Sequence, residues 1–158
     1  MISATRYFLR YAFSCAQVLR ESGEMTQQEY DKVADAAMDD KELPLPELER
    51  LFPAAFRRLR SIAEREGKPT YDEQAVKEYF PRDHNGFIDA GDGTYGEAPA
   101  WFCELCKVKR LEVLRTKVVD DKLFLRVEQN RWVQSPFFNA ITGDIVVVHH
   151  HYAVELVE

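Results

Sequence analysis

The side chains in this chain that could do chemistry by type and spacing crowd into its last third. Cys103-Glu104-Leu105-Cys106 places two thiols at CxxC spacing. One such pair offers half the ligands of a structural zinc, and the chain has no second CxxC to complete the set. A redox dithiol would open a helix behind a strand, whereas Lys107 to Val119 reads as strand. The plainer alternative is a pair of packed thiols. His149-His150-His151 follows soon after, and Tyr152 to Glu155 continue a strand pattern beyond it. Alternate residues of a strand share a face, so His149 and His151 are expected on one side and His150 on the other. One of these imidazoles could ligate a metal or carry a proton; otherwise they mark a solvated strand end.

Other candidates reduce to structure. Cys15 lies on the apolar face of a first helix and reads as a core thiol. His84-Asn85 reads as a loop capping a helix end, and Arg57-Arg58-Leu59-Arg60 as a solvated basic helix face or an acidic docking point. The loop 83–97 is rich in Gly and Asp but misses calcium spacing. Counted from Asp83 the glycine arrives too early, and from Asp89 the second ligand is missing. No serine elbow, P-loop or dinucleotide fingerprint occurs, so no catalytic residue and no cofactor-binding residue is assigned.

The elements that must position these residues follow from periodicity. Phe8, Tyr11, Ala12, Cys15, Val18 and Leu19 recur at helical spacing, and Thr26 with Glu29 forms a capping box before a second apolar face. A third helical run spans Leu48 to Ala63, with a kink or restart expected at Pro53. A fourth helix is expected from Asp72 to Phe80, stopping before Pro81. Beyond 82–99 the period becomes two. Leu123, Leu125 and Val127 alternate with polar or outward residues, and Tyr152, Val154 and Leu156 are expected on one face. Ile145 to Val148 reads as a strand covered on both faces, behind a turn at Thr142-Gly143-Asp144. Short strands packed into so few residues imply a closed barrel, which leaves no free edge.

With 158 residues, 46 % hydrophobic and 30 % charged, the chain can bury a core. A net charge of −6 argues against nucleic acid as the main partner, since phosphate binding needs concentrated positive charge. Three cysteines do not make a disulfide framework, which fits a reducing compartment. No apolar run approaches a membrane span. Arg6 and Arg10 interrupt the apolar N-terminus, so it is not a secretory signal; its Arg/Ser content without early acids also suits a transit peptide, but its periodicity favours an ordinary helix. The expected location is cytoplasmic, away from membranes.

From Cys106 onward the spacing resembles the hydrogenase-assembly chaperones of the HypC/HupF family. Cys106 stands before Val113-Leu114 as that family's opening cysteine stands before its first strand. Gly143-Asp144-Ile145-Val146-Val147-Val148-His149 and Tyr152-Ala153-Val154-Glu155 are similar to its closing block. The resemblance covers 103–158. It implies an OB-like barrel that passes an iron fragment between protein partners, with Cys106 and His149 as the working residues and Cys103 and His151 beside them. A thiolate from Cys106 would suit iron, and His149 would complete the site. Three features depart from the family: Cys106 is not at the N-terminus, the Pro-Gly after the opening motif is replaced by Arg110-Leu111, and the helical half has no counterpart.

The expected architecture is α+β, with a helical unit (1–81), a Gly/Asp-rich connector (82–102) and a small OB-like antiparallel β-barrel (103–158). The expected function is a non-enzymatic maturation chaperone that binds protein partners and transiently iron. The alternatives are an OB-type ligand- or nucleic-acid-binding module stacking its ligand on Trp132, Phe137 and Phe138, and an enzyme with Cys106 as nucleophile and His149 as base.

Overall fold

The computed structural model describes residues 2–158. The chain divides into two compact units, one ending at Phe87 and one running from Ile88 to Glu158.

In the first unit, α1 (Ala4–Glu21) begins where the Ser3 hydroxyl accepts from the Arg6 N–H, and it buries Phe8, Leu9, Tyr11, Ala12 and Phe13. The capping box opens α2 (Gln27–Met38) as its residues dictate: Thr26 Oγ1 accepts from Glu29 N at 3.1 Å, and the Glu29 carboxylate accepts from Thr26 N at 3.0 Å. The expected restart at Pro53 is present. Helix α3 (Leu45–Leu51) ends at Phe52, whose φ of −123° and ψ of 60° leave the helical region, and α4 (Pro53–Arg65) starts afresh with proline in its first turn. The core is aromatic, with the Phe8 and Phe56 rings 5.1 Å apart and Tyr11 stacked on Phe80 at 5.5 Å.

Helix α5 (Glu73–Glu78) ends before Pro81, but the helical path does not. The chain widens into a π-helical stretch, Tyr79–Asp83, and passes into α6 (His84–Asp89). A wider turn accommodates a proline that would clash with the carbonyl of a normal turn. His84 is therefore a buried helix residue and not a loop cap. Arg58 also departs from the solvated face expected of it: it is buried and donates to the Tyr79 hydroxyl at 3.1 Å.

The stretch 82–102 is not an irregular connector. It holds α6, a 3-10 turn (Gly93–Gly96) and the start of α7 (Ala100–Cys106). Each is too short to imprint a period on a sequence window. Gly96 is required where the turn folds back, because a Cβ there would sit 2.9 Å from the Gly91 carbonyl oxygen.

The strands β1 (Lys109–Val119), β2 (Lys122–Val127), β3 (Arg131–Gln134), β4 (Ile145–His149) and β5 (Tyr152–Val157) close into a barrel in the order β1-β2-β3-β5-β4. The pairings are antiparallel except β3 with β5, which run parallel where Gln134 meets Tyr152. β1 serves both sides of the closure. Its first residues pair with β4, and from Val113 onward, across a bulge at Leu114, it pairs with β2. A second bulge lies opposite Val147 and Val148, where β5 carries one residue more than its partner. That extra residue overturns the expected face of β5. Ala153 is buried in the barrel core and Leu156 packs against it, whereas strict alternation would place Val154 beside Leu156. Leu111, Val113, Leu125, Val127, Val133 and Val148 fill the rest of the core.

Candidate functional site

Cys106 is the last residue of α7 and does not open a strand; β1 begins only at Lys109. It is 4 % exposed, and burial pushes its thiol up to about 11, with the neighbouring Cys103 adding to the rise and a hydrogen bond with the Tyr95 side chain opposing it. Cys103, one helical turn earlier and half-buried, has its Sγ 3.8 Å from the Tyr95 carbonyl oxygen and 4.0 Å from that of Ala98. Both thiols are free. The CxxC thus ends a helix instead of opening one, the reverse of the redox arrangement.

The three histidines do not form a strand. β4 ends at His149, which pairs with Tyr152 and is 1 % exposed. His150 turns the chain at φ 59°, is buried and accepts at its carbonyl from Arg131 Nη2 at 2.5 Å, while His151 lies exposed in the turn. The alternate-face expectation fails because a tight turn replaces the extended backbone it assumed. The Phe102 ring of α7 packs 6.3 Å from the His150 ring, so helix and turn meet at one end of the barrel. The register sets Lys109 opposite Val148, so the start of β1 runs beside the end of β4, near Cys106 and His149. A carboxylate network covers the same end. Glu104 accepts from Lys107 at 2.7 Å and from Lys109 at 3.0 Å, which holds its carboxyl down at about 2.

A different set of side chains forms an open surface. The pairs Arg115 with Arg126 and Lys117 with Phe124 join β1 to β2, and the pair Arg126 with Trp132 joins β2 to β3. Paired residues share a face. Leu125, Val127 and Val133 are in the core, so Arg115, Lys117, Lys122, Phe124, Arg126 and Trp132 all point outward. Trp132 is 43 % exposed, and Arg115, Lys117 and Lys122 are exposed with it. No acidic residue occupies an outward position on β1 past the bulge, on β2 or on β3. Two tight turns hold the sheet. Asp120-Asp121 is a two-residue loop between paired Val119 and Lys122 with both residues in the left-handed region, as in type I′ hairpins, while Gln129 and Asn130 take that region within a three-residue loop, Glu128 to Asn130, between paired Val127 and Arg131. The β1–β2 hairpin projects past the barrel, leaving even its inner-side Val118 68 % exposed.

Of the aromatic surface expected from sequence, only Trp132 is an open platform. Phe137 is half-buried, and Phe138 packs against the core. The basic residues were missed, although a signal existed. Arg115 and Lys117, then Lys122 and Arg126, repeat at even spacing on either side of an Asp-Asp turn, which puts all four on one face of a hairpin.

No protein-family model, curated protein sequence or solved structure matches the chain.

Proposed function

We propose that this chain is an accessory binding protein whose barrel is OB-like and whose binding surface is the outward face of β1–β2–β3, which receives an anionic partner. The strand order with its parallel β3–β5 contact supports the OB-like assignment, and strands 2 and 3 of such barrels carry the ligand face. The observation that carries the function is the cluster of Arg115, Lys117, Lys122 and Arg126 around Phe124 and Trp132, on a protein whose net charge is −6. Four cations with no carboxylate on the strand face beside them, the nearest being Asp120 and Asp121 in the turn, raise the local concentration of a negative ligand. Retention on an immobilised heparin matrix at low salt tests this. The wild type is expected to be retained, and Lys117→Glu/Lys122→Glu to elute with the flow-through; a wild type that is never retained would refute the proposal.

A second function, metallocentre assembly with iron as cargo, is favoured by one observation: the β1–β4 register brings the chain beside Cys106 to the strand end bearing His149. The thiol's environment opposes it, because a group near 11 is almost wholly protonated at neutral pH and metals bind the thiolate. Native labelling with an uncharged alkylating agent at pH 8 separates the two. Cys106 is expected to stay unmodified until the chain unfolds, and rapid modification suppressed by ferrous iron would restore the metal function.

A further inference from the structure

We infer that the anionic partner of the β1–β2–β3 face is single-stranded nucleic acid, held by stacking on Trp132 and Phe124 and by phosphate contacts from the four cations around them. The inference rests on the anionic-partner function proposed above. Net charge argues against nucleic acid, but a ligand meets the field of the surface it touches, and the charged side chains on this strand face are all basic. The rings select among anions. A carboxylate or sulfate group has no π-face for them, whereas every base has one, and stacking is worth about 1–3 kcal/mol per base.

The geometry suits two neighbouring bases. Arg126 stands directly opposite Trp132, and Phe124, half-buried but outward, is two residues along β2 on the same face. That makes the rings diagonal neighbours, about 7–8 Å apart at the backbone. Arg126 lies between them as a cation able to stack or to meet a phosphate. Lys117 pairs with Phe124 and Arg115 with Arg126, so positive charge borders the rings on the β1 side. The tight turns at Asp120-Asp121 and Gln129-Asn130 fix the platform before ligand arrives, which limits the ordering cost of binding. A duplex keeps its bases stacked on one another and offers the rings nothing, so an unpaired strand is the favoured form.

Fluorescence anisotropy of labelled 12-residue oligo(dT) and oligo(rU) with the full chain tests this. Binding of either is expected, with an affinity that falls with salt at a slope of about −0.7 per neutralised phosphate, near −3 for the four cations. Trp132→Leu, an exposed change that keeps strand character, should weaken binding about tenfold with the slope unchanged. Trp132→Phe should restore most of the loss. Lys117→Glu/Lys122→Glu should weaken binding and flatten the slope. Heparin retention without oligonucleotide binding would overturn the nucleic-acid inference and leave the basic face standing; absence of both would overturn both. A duplex of equal length that binds as tightly, or a polyglutamate peptide that competes as well while Trp132→Leu has no effect, would also overturn it, the latter in favour of an acidic protein.

Discussion

At the scale of residues, burial decides what the titratable groups can do. His84 begins α6 inside an aromatic cage, with Tyr79 5.9 Å and Phe80 5.1 Å from its ring and Asn85 Oδ1 3.4 Å from its Nδ1. Desolvation pulls its pKa down to about 4, against an opposing hydrogen bond that the ring donates to Asn85 Oδ1, with the Arg58 charge adding to the fall. The unfolded chain binds a proton below about 6.5, while the folded chain does not until about 4. Stability from this group is therefore complete above the unfolded value and is lost as pH falls through that window, by up to about 3 kcal/mol. Melting at pH 7 and pH 5 should show a wild-type decrease that shrinks in His84→Gln. An undiminished decrease in the variant would assign the acid sensitivity elsewhere. The same physics explains why the loop-cap reading of His84 fails and why the packed-thiol alternative for Cys106 fits its burial. A thiol in a CxxC and a histidine beside an asparagine look available until a helix end or a π-helical turn buries them.

At the scale of elements, long periodic segments were legible and short or strained ones were not. α1, α2 and the break at Pro53 follow from apolar spacing, capping chemistry and proline geometry. Helices α6 and α7 span only six and seven residues, less than two full turns, so no repeat could announce them. The β5 face was misassigned because a single bulge residue inverts alternation, and nothing in Tyr152 to Leu156 marks it. The hairpin turns are a testable weak point. Gln129 holds φ at 64°, a conformation that an unbranched, non-glycine residue occupies at a cost of about 1–2 kcal/mol. Gln129→Asn, a residue that tolerates the left-handed region better, should raise stability by about 0.5–1 kcal/mol in urea unfolding. A variant no more stable than wild type would show that the strain is relieved elsewhere in the turn.

At the scale of the whole molecule, the mixed helix-and-strand architecture and the closed barrel were visible in the switch of period, while the binding surface was not. Net charge is a sum, and a sum hides a sheet face on which Arg115, Lys117, Lys122 and Arg126 stand together. The cysteines and histidines stand out by spacing in the chain, whereas the basic residues meet only through strand pairing. Among the described residues no helix is long and apolar enough to cross a membrane. The most direct measurement of the central claim is a map of backbone amide shifts as a heparin hexasaccharide is titrated into the full chain. The largest perturbations are expected in 115–126 and around Trp132. Perturbations confined to 100–106 and 149–151, or to the helical unit, would contradict the assignment of the β1–β2–β3 face.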